Sequence, residues 1–268
     1  RGLLPELGRV DMALVGEPTG MQAAVGERGL VVMDCVAHGV RGHAARNEGV
    51  NALYKAMEDI ERIRNYSFER TSPLLGDIKM TVTQISAGTQ HNVVPDECKF
   101  VIDIRTTDAY TNEETVKIVQ DILEADAKER STRVHASAIY AEHPLVKAAT
   151  AIGRETFVSP TTSDMALMHG IPSLKMGVGQ SARSHGADEY VMEEEIVEGI
   201  KVYIDFLREL RVEKGESNEL QDELMNAEIN SPTHQITASP ERSEINSESP
   251  NNQISESPAR SDSNSASP

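Results

Sequence analysis

Residues 97–106, ECKFVIDIRT, place Cys98 and Phe100 on one side of an extended chain with Lys99 on the other, then run apolar through Val101, Ile102 and Ile104. Side chains alternate across a strand, so the stretch reads as a sheet strand with one face in a core. Working outward, 77–86 (DIKMTVTQIS) and 29–37 (GLVVMDCVA) read as two further strands. Between those two lies a helix near 49–64, in which Val50, Leu53, Met57 and Ile60 recur along one face. On the other side, Thr111 and Glu114 form a capping box that starts a second helix, with Val116, Val119, Ile122 and Leu123 as its stripe. A strand at 132–139 (TRVHASAI) closes the set. The order β-α-β-β-α-β is that of a ferredoxin-like unit, a small sheet with two helices on one face.

The flanks differ from this unit. Residues 9–18 (RVDMALVGEP) read as a short buried parallel strand ending in a Gly16-Glu17-Pro18 turn. After the unit come a helix at 144–156, a Thr-Thr-Ser-Asp turn at 161–164, a strand at 172–178 (PSLKMGV) and a long helix at 192–210. On that last helix Ile196, Val197, Ile200, Tyr203, Ile204 and Leu207 form a stripe expected to pack. Glu193, Glu194 and Glu195 in its first turn suit the helix dipole. From residue 211 the composition changes. Ser-Pro recurs at 231, 239, 249, 257 and 267, and residues 231–248 and 249–266 match at 10 of 18 positions. So many prolines and so little apolar surface predict a disordered tail over 211–268.

The net charge of −17 divides into −10 over residues 1–210 and −7 over 211–268, and no basic face offers itself to nucleic acid. No run approaches the roughly 20 apolar residues of a membrane span, and no signal peptide is present, so the expectation is a cytoplasmic protein. Cys35 and Cys98 both sit inside strands and read as buried free thiols, unless those strands are neighbours positioned for a disulfide.

Two residues at opposite ends of the folded part carry candidate chemistry. Glu17 ends a buried strand, where open α/β sheets place ligand groups. His185 lies in a polar loop, SHGADEY at 184–190. Carboxylate and imidazole are ligands that zinc hydrolases use. On residue type alone, a structural Glu and a solvated His are the commoner readings of the pair.

The surrounding motifs decide otherwise. GEPT at 16–19, GHAARNEGVNA at 42–52, HNVVPDECKFVIDIR at 91–105, TSD at 162–164 and SHGADEY at 184–190 occur in this order. Together, over residues 3–210, they resemble the zinc amidohydrolases that include acetylornithine deacetylase, succinyl-diaminopimelate desuccinylase and aminoacylase. The wording is nearest to the acetylornithine deacetylase-like enzymes of bacterial arginine synthesis. The resemblance implies an α/β fold class: the C-terminal part of a split catalytic domain, a zinc-peptidase-like sheet with helices, into which a ferredoxin-like lid is inserted. The expected segments are 1–25 (catalytic), 26–140 (lid and dimerisation), 141–210 (catalytic) and 211–268 (disordered tail). It further implies a homodimer formed through the lid, a small-molecule N-acyl amino acid as substrate, and two Zn2+ ions per complete site, with Co2+ a possible substitute.

Carried over residue by residue, Glu17 corresponds to a carboxylate ligand of one zinc and His185 to a histidine ligand of the other. His43 corresponds to the lid histidine that reaches into a neighbouring active site and stabilises the tetrahedral intermediate, a contribution on the order of 3 kcal/mol for an oxyanion donor. Asn92 and Arg105 correspond to positions that bind the substrate and its carboxylate, for which a guanidinium offers a planar fork. Thr162, Ser163 and Gly179 fall on substrate-lining loops. His91 reads as a turn residue, and His38, His135, His143, His169 and His234 receive no role.

The family's first metal histidine, its His-x-Asp motif and its Glu-Glu pair precede the GEPT motif, whereas only 15 residues precede Gly16 here. None of the 15 is a His, and Glu6 and Asp11 stand in no such motif. The expectation is a gene fragment that alone binds zinc weakly and hydrolyses nothing. Two other readings stay open: a non-catalytic module whose lid dimerises while its tail binds partners, and a related peptidase or desuccinylase with another substrate.

Overall fold

The computed structural model describes residues 6–210; the expected disordered tail, 211–268, lies outside them. Two sheets organise the chain. The first is mixed, with strands in the order β1 (Ala13–Val15), β11 (Ser173–Lys175), β2 (Ala23–Glu27) and β10 (Thr156–Ser159), and β9 (Ser137–Ala138) also pairing with β2. The second has the order β5 (Lys79–Ala87), β7 (Glu97–Thr106), β3 (Gly29–His38) and β8 (Asp126–Glu129), antiparallel throughout. A two-stranded ribbon, β4 (Gly42–His43) with β6 (Val93–Val94), stands beside it.

The second sheet is the expected ferredoxin-like unit, and its strand 97–106 has the bounds read from the sequence. Val31, Met33, Cys35 and Ala37 of β3 and Cys98, Phe100, Ile102 and Ile104 of β7 point to one buried face. Helices α1 (Ala52–Asn65) and α2 (Asn112–Ile122) cover that face. Burying an Ile, Met or Phe there stabilises the unit by roughly 1.5–3 kcal/mol each. The Thr111–Glu114 capping box forms as expected, with the Thr111 hydroxyl accepting from the Glu114 N–H and the Glu114 carboxylate accepting from the Thr111 N–H. Asn51 caps α1 by accepting the Leu53 N–H at 2.9 Å.

Three readings need correction. The closing strand of the unit is Asp126–Glu129, which pairs with β3; residues 132–139 instead cross to the first sheet, where Ser137–Ala138 pair with β2. The apolar stripe assigned to α1 is displaced: Ala52, Ala56, Asp59 and Ile63 are buried, Leu53 and Ile60 flank them, and Val50, Tyr54 and Met57 are exposed. Small alanines take the inward face because the helix lies close on the sheet, and Asp59 is buried because its carboxylate is fully used. It accepts the N–H groups of Glu124 (3.0 Å) and Ala125 (2.9 Å) and pairs with Arg62 (2.6 Å), locking α1 to the turn after α2.

The first sheet packs on α3 (Pro144–Ala151) and α4 (Glu193–Glu209). Helix α3 stops short of the expected residue 156, with Gly153 at φ 74° just beyond it, and β10 follows. The third correction concerns α4. Gly199, Val202 and Phe206 form its buried face and Tyr203 borders it, whereas Ile196, Val197, Ile200, Ile204 and Leu207 are exposed. No helix among the described residues is long and apolar enough to cross a membrane.

The two cysteines lie on neighbouring strands, but two register positions apart: Cys35 faces Phe100 and Cys98 faces Ala37. Diagonal side chains across a sheet sit roughly 7 Å apart, beyond the ~4 Å between Cβ atoms that a disulfide needs. Both thiols are free and buried, and burial pushes the Cys35 thiol up to about 12. A thiol reagent at mildly alkaline pH should therefore label neither cysteine in the folded chain and both after denaturation; rapid labelling of Cys35 in the native state would contradict this packing.

Candidate metal and substrate site

Glu17 and His185 line one cavity of about 470 Å³, together with Thr162, Ser159, Lys175 and Ser184. Glu17 follows the C-terminal end of β1. The turn that holds it is tied to the chain beyond β11: the Thr19 N–H donates to the Gly177 carbonyl and the Gly177 N–H to the Thr19 hydroxyl, both at 3.1 Å. His185 lies in the loop that follows. Its backbone is left-handed, φ 62°, and its N–H donates to the Glu189 carboxylate at 3.1 Å. Such a conformation is uncommon outside glycine, and strain of this kind collects at functional loops. The loop is anchored by Arg183, which donates to Glu195 at 2.7 Å and lies over the Tyr190 ring. The Met192 N–H and then Arg183 hold the Glu195 carboxyl below the usual carboxylate range.

The wall between these two residues rests on a buried ion pair that the sequence reading passed over. Lys175 Nζ donates to Glu27 Oε2 at 3.0 Å and to the Thr161 carbonyl at 2.9 Å. The Ser163 N–H donates to Glu27 Oε1 at 3.0 Å and the Ser163 hydroxyl to Oε2 at 2.8 Å. Side-chain exposure is 3% for Lys175 and 0% for Glu27. Thr162 stands between two anchored neighbours and is itself exposed to the cavity. The available signal was a single charge inside each of two apolar runs, AAVGE and PSLKMGV.

The other expected site residues lie elsewhere. Gly179 lines an adjoining cavity of about 180 Å³, and its φ of 82° explains the glycine. Ser163 serves the Glu27 network. His43 and Asn92 sit on the lid at the β4–β6 ribbon, where the His43 imidazole accepts the Ala45 N–H at 3.1 Å and the Asn92 carbonyl accepts the Ala44 N–H at 3.0 Å. Arg105, on β7, is held by Asp103 through two hydrogen bonds of 2.7 and 3.1 Å. None of these three lines the Glu17–His185 cavity. A larger cavity, about 630 Å³, opens near Tyr140, His143 and His169; it contains no motif residue, which makes the smaller cavity the better candidate.

As a metal site the smaller cavity is partial. A carboxylate and an imidazole suit zinc, but a zinc ion takes about three protein ligands. Among the described residues no three His, Cys, Asp or Glu side chains converge to hold a metal ion. The described residues therefore do not complete a zinc site.

Residues 25–131 match the M20 family described as "Peptidase dimerisation domain", which coincides with the antiparallel sheet and its two helices. Succinyl-diaminopimelate desuccinylase of Corynebacterium glutamicum is 29% identical over 218 residues, covering 76% of this chain and 59% of that protein. The enzyme of the same name from Dinoroseobacter shibae is 29% identical, covering 75% and 58%. Among solved structures, aminopeptidase PepT from Bacillus cereus superposes with a TM-score of 0.61 at 18% identity, covering 76% of this chain and 58% of that one. The YXEP protein of Bacillus subtilis, described as a dinuclear metal-binding peptidase of the M20 family, superposes with a TM-score of 0.55 at 16% identity, covering 75% and 58%. The resemblance to zinc amidohydrolases holds at the level of the M20 peptidases, and so does the α/β fold. The chain spans less than two thirds of these relatives, and the desuccinylase names do not single out acetylornithine.

Removing one member of the buried pair tests the floor of the cavity. Lys175→Met leaves the Glu27 carboxylate buried without a counter-charge and should cost about 3–5 kcal/mol. Combining it with Glu27→Gln should recover a large part of that loss. Urea denaturation of the two variants measures both, and a single variant as stable as the parent would mean the pair does not hold this wall.

Proposed function

We propose that the chain belongs to a metal-dependent amidohydrolase of the M20 type, cleaving the amide of an N-acyl amino acid, and that it carries ligands for the metal pair while other polypeptide completes the site. The observation behind this reading is the convergence of Glu17 and His185, 168 residues apart in sequence, on one polar cavity. Zinc, when bound, would supply Lewis acidity toward the scissile carbonyl. In this reading Glu17 and His185 hold metal, and Thr162 lines the acyl or amino-acid pocket. Ser163 acts through Glu27 as a positioning residue, and Gly179 shapes the adjoining loop. His43 stabilises the oxyanion, while Asn92 and Arg105 bind the substrate, Arg105 exchanging Asp103 for the substrate carboxylate.

The substrate within this class is an N-acetyl- or N-succinyl-amino acid. The motif wording favours acetylornithine and the arginine pathway, and the relatives' names favour succinyl-diaminopimelate. A homodimer through the lid is supported by the dimerisation-domain match and by the geometry of β5, which among the described residues pairs with β7 alone and carries exposed Ile85. The segment boundaries 1–25, 26–140 and 141–210 belong to the same proposal, with residues 132–139 as the return crossing. Free thiols on buried strands are consistent with a cytoplasmic location.

Two measurements test the function. Zinc titration of the 268-residue chain should detect weak binding that falls at least about ten-fold in Glu17→Gln and in His185→Ala, the scale on which ligand-shell losses are felt. Joined to the N-terminal portion of the Corynebacterium relative, the chain should hydrolyse one of N-acetylornithine or N-succinyl-diaminopimelate, and lose that activity with either variant. Hydrolysis by the hybrid that ignores both substitutions would overturn the assignment.

A further inference from the structure

Residues 130–136 return the chain from the lid to the first sheet, and one side-chain contact fixes where they land. The His135 and His169 rings stack with centroids 4.2 Å apart and planes 27° from parallel. The His135 N–H also donates to the Ala166 carbonyl at 3.0 Å. His169 stands just after a short helical turn, Asp164–Leu167, on the stretch that leads into β11. The segment held by the stack therefore begins beside Ser163, which is bonded to Glu27, and ends at β11, which carries Lys175. Both rings belong to this chain, so the contact does not depend on any surface being free.

Imidazole is the side chain that changes charge near neutral pH. One proton on the pair leaves a cation against a neutral ring, whereas two imidazolium rings at this separation repel, and the two titrate as a unit. Glu113, in the first turn of α2, acts on both rings. A hydrogen bond from Thr132 and then one from the backbone hold its carboxyl below the usual range, with smaller contributions from His135 and His169. Burial, and then the charge of His169, push His135 below the ordinary histidine range, and Glu113 opposes them. The neighbouring polar groups are engaged elsewhere or face solvent. Arg133 donates to Ser131 at 3.1 Å, Tyr140 to Asp108 at 2.6 Å, and His143 accepts the Leu145 N–H at 3.3 Å. Glu142 pairs with Lys147 at 3.0 Å, and Asp164 is exposed.

We propose that the His135–His169 stack is a proton-sensitive latch between the return crossing of the lid and the segment that ends in the cavity wall, closed near neutral pH and split when the second ring takes a proton. A histidine held below its ordinary range stabilises the fold above that range, and the contribution is lost as pH falls through it. The latch therefore opens between about pH 7 and about pH 5. It is independent of the metal and of the substrate assigned to the cavity.

Two readouts on the 268-residue chain test it: NMR titration of the imidazole carbons, and amide hydrogen exchange read by mass spectrometry. The His135 midpoint should rise in His169→Asn, which removes the neighbouring cation, and fall in Glu113→Gln, which removes the anion. Amides of residues 164–171, corrected for the intrinsic pH dependence of exchange, should exchange several-fold faster at about pH 5 than at about pH 8. Amides of β7 should show no such change, which a global loss of stability would not spare. In His169→Asn, whose side chain is exposed and whose fold circular dichroism checks, the pH dependence at 164–171 should disappear. A His135 midpoint that ignores both substitutions, equal protection of 164–171 at the two pH values, or an acceleration shared by β7 would overturn the proposal.

Discussion

The buried pair of Glu27 and Lys175 is the interaction on which the geometry of the candidate site depends. Taking two charges out of water costs several kcal/mol each, and only close pairing with complete hydrogen bonding offsets it. Both conditions hold: Lys175 reaches Glu27 and the Thr161 carbonyl, and Glu27 also receives the Ser163 N–H and hydroxyl. An apolar pair would bury surface as well but would leave the 159–163 loop unspecified. The pair joins the end of β2, the end of β11 and that loop at one point, and Thr162 is presented to the cavity as a result.

The lid was legible in the sequence because its sheet has one face buried and one exposed. Period-two alternation then reports directly on structure, as in ECKFVIDIRT, whose bounds match β7 residue for residue. The strand AAVGE was not legible for the opposite reason. All five residues of β2 are buried, so no alternation exists to be read. The misplacement of 132–139 has a further cause: a two-residue strand in another sheet leaves too short a pattern to say which sheet it joins.

The helices show what periodicity cannot decide. A stripe of large apolar residues identifies an apolar side, and burial falls where the backbone approaches closest. In α1 that place is held by Ala52 and Ala56, and in α4 by Gly199, so the bulky neighbours Met57 and Ile200 stand outside. The site divides in the same way. Glu17 and His185 drew notice through the motifs around them, whereas Lys175 and Glu27 sit inside apolar runs with no motif to mark them. Asp59 escaped notice likewise, because its role lies in backbone N–H groups 65 and 66 positions away.

The residues expected to meet substrate from the lid and those lining the cavity belong to different sheets, and the chain crosses between the sheets twice. The first crossing is Arg28, between β2 and β3, whose guanidinium donates to the carbonyls of Leu75 and Asp77. The second is 130–136, where Asn112 donates to the Thr132 and Val134 carbonyls and the Leu30 N–H to Val134, while the His135 N–H reaches Ala166. Each crossing is held to the lid on one side and to the first sheet on the other within a few residues. Neither contains a long linker to absorb a large change in angle. His43, Asn92 and Arg105 line no part of the Glu17–His185 cavity in this arrangement, and two physical routes would bring lid residues to a substrate there: rotation about those two crossings, or contribution of the lid residues to the cavity of a partner subunit. The family resemblance implies the second, with His43 reaching into a neighbouring subunit's site, and the short crossings are compatible with it, because it asks no hydrogen bond of Arg28 or Asn112 to break.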